Sequence, residues 1–279
     1  DVVIYAGSLV SRDLLGWARQ DARIYDSASM DLEQVMEVME QAERDGLTTV
    51  RLHTGDPCLY GAIREQMDGL DARGIKYDIC PGVSSFCGAA AALGMEYTLP
   101  GISQSVVITR MAGRTPVPER ESIGKFAAHG STMVIFLSAG MTGELSEELV
   151  KGGYPGDTPA AIVYKATWPD EKVVRCTVAT LEETADREGI HKTALIVVGN
   201  TVAQTGYERS KLYDPAFTTG FRAGRESVPG KLEPGTLYVV GMGPGEKKQI
   251  TGQALEVMGR CQVIAGYTVY VDLVRGLFP

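Results

Sequence analysis

Short apolar runs alternate with amphipathic segments in the first part of the chain, and this alternation constrains the fold more than any other feature. Residues 48–53 are typical of a buried strand, 61–73 of a helix and 77–80 of a further strand. Parallel strands need a crossover connection of about a dozen residues, which is usually a helix. The order of these segments therefore predicts an α/β unit built on a parallel sheet.

One helix of this unit carries its own start signal. Asp31 followed by Gln34 resembles a capping box, in which two side chains satisfy backbone N–H groups at the helix start. The stripe that follows predicts core packing against the sheet. Its apolar residues recur at helical spacing: Leu32, Val35, Met36, Met39 and Ala42.

The second half of the chain predicts a different sheet. Its strand-like segments are 104–110, 132–137, 160–165, 172–178 and 193–198. Asp170 and Glu171 separate two of these segments by a short polar turn, which predicts a hairpin and therefore a mixed sheet. We expect two α/β domains, at 1–100 and 101–215.

The rest of the chain divides into a linker and a tail. Residues 216–235 lose periodicity and collect Gly, Pro, Ser and charge, which predicts a linker. In the tail, 236–279, residues 237–241 and 261–265 are typical of strands and flank a predicted helix. The glycines after the first of these do not complete a dinucleotide fingerprint, because Glu246 occupies the place of its third glycine.

Composition excludes several classes of partner. A net charge of −8, without any Lys/Arg block longer than a pair, gives no electrostatic attraction to nucleic acid or anionic lipid. No apolar stretch approaches the roughly 20 residues of a membrane-spanning helix. The cysteines are scattered and the histidines do not pair at metal-ligand spacing. We therefore expect no nucleic acid, no membrane and no metal site, and a cytoplasmic location.

The loop that follows the strand at 48–53 holds the most informative residues. It contains Thr54, Gly55 and Asp56, at the sheet edge where open α/β sheets bind ligands. Turn residues and one carboxylate at this edge are typical of a small-molecule site. On local sequence alone, the same residues are equally typical of a turn closed by an Asx-type hydrogen bond.

A second loop, 80–86, also joins a predicted strand end to a helix. Its Ser84 and Ser85 lie in the first helical turn, where hydroxyl side chains commonly act as caps. Because the carboxyl ends of parallel strands meet at one edge, we expect this loop to lie beside the loop around Asp56. Hydroxyls, backbone amides and one carboxylate, without a phosphate-binding Lys, favour a neutral or cationic nucleoside over a nucleotide.

Seven segments of the chain form a combined pattern. They are Asp26-Ser-Ala-Ser, Arg51-Leu-His-Thr-Gly-Asp-Pro, Tyr60-Gly-Ala-Ile-Arg-Glu-Gln, Pro81-Gly-Val-Ser-Ser-Phe, Gly113-Arg-Thr-Pro-Val-Pro, Phe136-Leu-Ser-Ala-Gly and Tyr207-Glu-Arg-Ser-Lys-Leu-Tyr-Asp-Pro. This pattern resembles the tetrapyrrole methylase family, and in particular its members that methylate C11 of precorrin-4 or cobalt-precorrin-4 in cobalamin biosynthesis. The resemblance covers residues 1–225.

The resemblance implies a fold, an activity and a site. The implied fold is two α/β domains of the tetrapyrrole methylase type with the cofactor cleft between them, assembled as a homodimer. The implied activity is C-methylation of a tetrapyrrole with S-adenosylmethionine as the cofactor. The cofactor contacts that the resemblance transfers to this sequence are Thr54, Gly55, Asp56, Leu59, Ser84, Ser85, Leu137, Ala166 and Ala194.

Both ends of the chain depart from the family pattern. The family opens with a strand and a V-G-x-G-P-G loop that are absent before Asp1, yet the motif occurs at 240–245. The tail through 266–274 resembles the opening of the precorrin-3B C17-methyltransferases. We therefore expect a fragment of a fused bifunctional protein. For its activity we expect a C11-methyltransferase, and two alternatives stay open: a related methylase that acts on another ring position, which the segments around Arg51 and Tyr207 disfavour, and a truncated, catalytically silent chain that only binds ligand. We also expect residues 237–240 to fill the strand position left vacant in the first sheet.

The residues that act on the substrate are less clearly marked. Methyl transfer from sulfonium to carbon needs alignment and desolvation more than acid–base groups. His53, at a strand end, is one catalytic candidate, for which structural and proton-transfer roles both stay open. The implied substrate carries several carboxylates, which Arg binds in pairs. Arg64, Arg110 and Arg114 are candidate substrate-binding residues, and Arg114 is also a catalytic candidate, although each is equally typical of a solvated surface charge.

Overall fold

The chain folds around two β-sheets, and the computed structural model describes residues 1–7, 9–220, 222–224 and 235–278. The strands are β1 Val2–Tyr5, β2 Arg23–Asp26, β3 Thr49–Leu52, β4 Val106–Arg110, β5 Thr132–Phe136, β6 Pro159–Tyr164, β7 Lys172–Thr177 and β8 Ala194–Val198. The helices are α1 Leu32–Arg44, α2 Ile63–Ala72, α3 Ser85–Leu93, α4 Ile123–Ala127, α5 Thr142–Lys151, α6 Leu181–Glu188, α7 Gly252–Arg260 and α8 Thr268–Val274. The predicted α/β class is confirmed.

The first sheet has the order β2-β1-β3, and both of its strand pairs are parallel, as the alternation predicts. Helix α1 begins at the predicted capping box, in which Gln34 N donates to Asp31 Oδ1 at 2.8 Å and Asp31 N donates to Gln34 Oε1 at 3.0 Å. The apolar stripe of this helix packs on the sheet as predicted. The buried residues of this core are Val2, Ile4, Val35, Met36, Met39, Ala42 and Leu70.

The opposite face of the first sheet is less covered. Val3 pairs with Ile24 on one side and with Val50 on the other, so these residues form one row across the sheet. Ile24 and Val50 are 46% and 48% exposed. Parallel sheets are normally covered on both faces. Only the α1 face of this small sheet therefore has a well-packed core.

The second sheet is mixed, with the order β4-β5-β8-β6-β7. Strands β4 and β5 are parallel, whereas β8 is antiparallel to both β5 and β6, and β6 and β7 form the predicted antiparallel hairpin. Apolar clusters cover both faces, and every residue of β5 is buried. Helices α4, α5 and α6 pack on one face, and α3 packs on the other. Helix α3 therefore connects the loops of the first sheet with the core of the second.

Three predicted strands are absent from the described structure, and the predictions for 77–80, 237–240 and 261–265 are wrong. A strand is stable only when its backbone N–H and C=O groups pair with a neighbour. Within the described residues, no strand pairs with 237–240, and Leu237 and Val239 are 87% and 94% exposed. The expectation that this segment fills a strand position in the first sheet is therefore also wrong.

The tail packs mainly on itself. Helices α7 and α8 share a small apolar cluster that is built from Ile250, Ala254, Met258 and Val274. Half of the predicted linker at 216–235, residues 225–234, lies outside the described residues. No helix in the described part of the chain is long and apolar enough to span a membrane.

Candidate functional site

The loops around Asp56 and Ser84 lie against each other, as the sequence predicts. Asp56 Oδ2 accepts a hydrogen bond from Gly82 N at 2.8 Å, and Asp56 Oδ1 accepts one from Cys58 N at 2.8 Å. A Cβ atom added to Gly82 would lie 2.1 Å from the carbonyl oxygen of Gly55, so a side chain does not fit between the loops. One carboxylate therefore joins both loops through their backbones.

The same hydrogen bonds determine the ionisation of Asp56. Its pKa is lowered, first by a hydrogen bond with the Cys58 side chain and then by the backbone N–H groups of Cys58 and Gly82, against an opposing effect of burial. Hydrogen bonds to the charged form favour that form. Asp56 is therefore a carboxylate at neutral pH, and both of its oxygens hold backbone groups.

The N-terminus of α3 forms the second side of the site. Ser84 is the N-cap and is buried, yet its side chain makes no capping hydrogen bond with the described helix. A Cβ atom added to Gly55 would lie 3.2 Å from Ser85 N, which shows how closely the first loop approaches this helix end. The start of α3, with its uncapped N–H groups, therefore lies beside the first loop.

One edge of the second sheet forms the third side. Leu137 follows β5 and Ala166 follows β6, while Ala194 opens the antiparallel strand β8 and pairs with Tyr164. These three predicted cofactor residues therefore lie at the same sheet edge. A Cβ atom on Gly88, in α3, would lie 3.5 Å from the Ala166 side chain and 3.5 Å from the Thr167 side chain. This contact brings the sheet edge against the helix whose N-terminus holds the serines.

An aromatic contact links the first loop to the second sheet. The Tyr60 ring, near the end of the loop, lies 5.3 Å from the Phe136 ring at the end of β5. The contacts through Tyr60, Gly55 and Gly88 bring the first loop, α3 and the end of the second sheet together, and we call the region between them the cleft. Sequence reasoning missed Tyr60, whose position in a turn motif carries no signal of a contact so distant along the chain.

The cleft is lined by strained backbone. Six of the seven described non-glycine residues with positive φ occur in its loops, and a left-handed backbone is unfavourable for bulky and β-branched side chains. Strain of this kind clusters at ligand sites, because the surrounding structure must hold it in place. These residues, with φ between 46° and 72°, are Tyr60, Ala62, Leu137, Lys165, Thr167 and Thr193.

Two side chains that sequence reasoning missed support these strained turns. Glu171 Oε2 accepts a hydrogen bond from Thr167 N at 2.6 Å, next to Ala166. The buried Gln66 donates from Nε2 to the Ala62 carbonyl at 3.1 Å and accepts from Arg51 Nε at 3.2 Å. Glu171 fixes backbone at the end of the second sheet, and Gln66 fixes backbone in the loop after the first sheet. Neither hydrogen bond has a signal in the sequence.

The three candidate arginines have different surroundings. Arg64 pairs with Asp68 at 2.5 Å on the exposed surface of α2. Arg110 donates to the carbonyls of the loop after β4: Met111 at 3.0 Å, Thr115 at 3.2 Å and Pro116 at 2.8 Å. Arg114 is exposed in that loop and has no ion pair among the described residues. Of the three arginines, Arg114 therefore has the fewest contacts within the described residues that would compete with a ligand.

His53 lies at the start of the first loop, and its side chain is partly buried. Its Nε2 atom is buried and has no hydrogen-bond partner among the described residues. Burial, followed by the nearby charge of Arg51, lowers the pKa of His53. The imidazole is therefore neutral at neutral pH.

An α/β fold with a serine- and glycine-lined cleft between two sheets defines a small-molecule-binding protein whose site is built from backbone groups. Residues 1–182 match the tetrapyrrole (corrin/porphyrin) methylases. The chain is 51% identical over 222 residues to a cobalt-precorrin-4 C(11)-methyltransferase of Methanocaldococcus jannaschii, covering 80% of this chain and 86% of that relative. It is 44% identical over 222 residues to a precorrin-4 C(11)-methyltransferase of Sinorhizobium sp, covering 79% and 87%.

Solved structures of tetrapyrrole methyltransferases also match this chain. The X-ray structure of a cobalt precorrin-4 methyltransferase matches with a TM-score of 0.70 and 45% identity, over 72% of this chain and 84% of that one. A uroporphyrin-III C-methyltransferase from Thermus thermophilus, complexed with S-adenosyl homocysteine, shares the fold with a TM-score of 0.61 and 22% identity, over 73% and 87%. The chain belongs to the tetrapyrrole methylase family.

Proposed function

We propose that this protein is an S-adenosylmethionine-dependent methyltransferase that methylates C11 of precorrin-4 or cobalt-precorrin-4 in cobalamin biosynthesis. Curated relatives named for this reaction are 40–51% identical to the chain. The observation that carries the proposal is the union of the two predicted loops through Asp56, which creates one cleft from residues that are distant in sequence. The catalytically silent alternative is not favoured, because these curated relatives are named for the methyl-transfer reaction.

The residues of the cleft fit the proposed cofactor. The backbones at Gly55 and Gly82 approach so closely that a Cβ atom does not fit between them, so the two loops offer a continuous backbone surface to a flat adenosyl group. The Ser84 and Ser85 hydroxyls and the amides at the start of α3 supply hydrogen-bonding groups for a nucleoside, and the two loops contain no Lys that would repel a cation. We assign the cofactor contacts to Thr54, Gly55, Asp56, Leu59, Ser84, Ser85, Leu137, Ala166 and Ala194.

The geometry favours catalysis by alignment. S-adenosylmethionine supplies an activated methyl group on a sulfonium. The chain's own residues orient the reactants, because the two loops and the end of the second sheet contribute their groups to one site. The Asp56 carboxylate adds negative charge near the cleft, but its oxygens already accept two backbone N–H groups. It therefore acts on the shape of the site rather than as a base.

The substrate side of the cleft lies near the loop after β4. Arg114, exposed in that loop, is the residue that we assign to the carboxylates of the tetrapyrrole. Arg110 shapes the loop and Arg64 pairs with acidic residues on α2, so we place both at the edge of the substrate site. His53 has a free buried nitrogen, and we retain it with Arg114 as a candidate for acting on the substrate.

The proposal also includes the protein's organisation. We divide the chain at 1–100, 101–215, 216–235 and 236–279, and expect a homodimer in the cytoplasm. Light scattering on the purified chain tests the dimer directly. Twice the 30.0 kDa chain mass supports it, and the single chain mass contradicts it.

Two measurements test the function. Calorimetry with S-adenosylhomocysteine is expected to show saturable binding at one site per chain. A methyl-transfer assay with precorrin-4 and cobalt-precorrin-4 is then expected to give a product that is heavier by one methyl group in place of hydrogen. Binding without turnover on either tetrapyrrole would support the silent alternative, and no binding would refute the proposed function.

A further inference from the structure

Tyr60 has a conformation that its residue type disfavours. Its φ is 55°, in the left-handed region, where a bulky aromatic residue is a genuine outlier. Glycine occupies this region without cost, yet the chain places a large ring there. An outlier of this kind persists only where the surrounding structure holds it, and it is common in ligand sites. The position of the ring, rather than the path of the backbone, is therefore the feature that needs an explanation.

The ring rests on the second sheet with much of its surface free. It contacts Phe136 at 5.3 Å between ring centroids, tilted by 46°. Tyr60 is nevertheless 45% exposed, and its hydroxyl has no hydrogen-bond partner among the described residues. Phe136 itself is buried, so Tyr60 covers it and presents its own outer surface to the cleft. A large apolar ring is thus fixed at the junction of the two sheets.

Positive charge lies next to this ring. Arg110 and Phe136 are paired in register on neighbouring parallel strands, so their side chains point to the same face of the sheet. The guanidinium of Arg110 donates to three backbone carbonyls and to no carboxylate in the described chain. It holds the loop that carries the exposed Arg114. Glu121 also acts electrostatically on Tyr60, but it has no ion pair with Arg110 or Arg114 among the described residues. An apolar ring beside these two arginines matches a planar macrocycle with acidic side chains.

The ring also separates two parts of the site. The loop that bears Tyr60 begins at the proposed cofactor residue Gly55, and its far end reaches the strand beside Arg110. A methyl group passes directly from cofactor to substrate, so the reacting carbon must lie beside the cofactor loop. Tyr60 occupies the corresponding boundary, between the cofactor loop and the arginine-bearing loop.

From this arrangement we propose that Tyr60 is a substrate-contacting residue, whose ring forms the surface on which the tetrapyrrole macrocycle packs. The inference rests on the proposed function and adds the residue that holds the macrocycle's face. This role explains the strained backbone of Tyr60, which directs the ring into the cleft instead of into the core.

The test compares two replacements of Tyr60. Tyr60→Phe keeps the ring, whereas Tyr60→Asn removes it but retains a residue that tolerates the left-handed region. We expect Tyr60→Asn to raise the KM for the tetrapyrrole about threefold to tenfold, the range for one aromatic contact, and Tyr60→Phe to stay within about twofold of the parent. The Kd for S-adenosylhomocysteine is expected to stay within about twofold in both variants.

Tyr77→Asn is the matched control, because Tyr77 is a similarly exposed tyrosine whose hydroxyl donates to Asp71 on α2. It is expected to leave the tetrapyrrole KM unchanged. Thermal unfolding of each variant separates a folding defect from a binding defect, and Tyr60→Phe provides a folded variant if Tyr60→Asn is unstable.

Each outcome decides between the two proposals. An unchanged tetrapyrrole KM in Tyr60→Asn, or a Kd for S-adenosylhomocysteine that weakens as much as the KM rises, would overturn the role of Tyr60 while the parent enzyme still turned over. In Tyr60→Phe, a tetrapyrrole KM raised as far as in Tyr60→Asn would assign the effect to the hydroxyl and reject the ring surface. A parent chain that neither binds S-adenosylhomocysteine nor methylates a tetrapyrrole would refute the proposed function, and the inference with it.

Discussion

Gly82→Ala is the most direct perturbation of the cleft. The added Cβ atom would lie 2.1 Å from the Gly55 carbonyl oxygen, whereas real Cβ atoms essentially never approach closer than 3.0 Å. The φ of Gly82 is not in the left-handed region, so the alanine backbone itself is unstrained and the effect is steric. The loops must therefore separate by about 1 Å, a distance that stretches the 2.8 Å hydrogen bond from Gly82 N to Asp56 beyond its useful range.

The magnitude follows from that hydrogen bond. A bond to a charged group contributes about 1.5–3 kcal/mol, and partial exposure of Asp56 reduces this to about 1–2 kcal/mol. If the cofactor binds only the joined loops, the same free energy appears in its affinity. We expect the Kd for S-adenosylhomocysteine to rise about fivefold to thirtyfold in Gly82→Ala.

Gly88→Ala is the matched control, because it adds the same methyl group nearby without a clash. Its Cβ atom would lie 3.5 Å from the side chains of Ala166 and Thr167, at ordinary contact distance. Alanine is favoured over glycine inside a helix by about 0.5–1 kcal/mol, so α3 is expected to gain stability. Calorimetry and thermal unfolding on both variants check the prediction. Equal cofactor affinity in Gly82→Ala and the parent, or an equal loss in Gly88→Ala, would refute the reasoning.

Two further predictions concern the carboxylates that hold backbone at the cleft. Glu171→Ala removes the acceptor of Thr167 N, and we expect about a fivefold weaker Kd for S-adenosylhomocysteine with little change in the tetrapyrrole KM. Glu188→Ala, which removes a half-buried carboxylate paired with Lys172, is the control, and equal effects of the two variants would reject the role of Glu171. Asp56 has a lowered pKa in the folded protein, so its stabilisation is present above its unfolded-state pKa and is lost as the pH falls through the lower folded value. Asp56→Asn is therefore expected to weaken the acid-side fall of the thermal midpoint, and identical pH profiles for Asn and Asp would contradict this.

Local signals in the sequence were sufficient for much of the fold. The capping box at Asp31 and the apolar stripe after it depend only on residues within one helix, so they could be predicted without tertiary information. The hairpin around Asp170 and the meeting of the loops at Asp56 and Ser84 follow from general rules of sheet topology. These features share a short-range or topological cause.

The wrong strands had a different cause. Residues 237–240 and 261–265 have strand composition, but a strand also needs a neighbour, which a sequence pattern does not provide. The local contacts of Arg110 could not be predicted either, whereas its role in substrate binding stays a prediction. Arg110 donates to the carbonyls of Met111, Thr115 and Pro116, and this backbone bonding has no sequence signature.

The two carboxylates at the cleft explain why this site needs so few catalytic groups. Asp56 bonds backbone N–H groups in the loops from the first sheet, and Glu171 bonds the backbone of Thr167 at the edge of the second. Both act next to α3, which contacts both sides of the cleft. A displacement at a methyl group depends on the distance and direction of approach rather than on proton transfer. Charged side chains that hold backbone turns in strained positions therefore meet the main requirement of the proposed reaction, which is a fixed geometry on each side of one cleft.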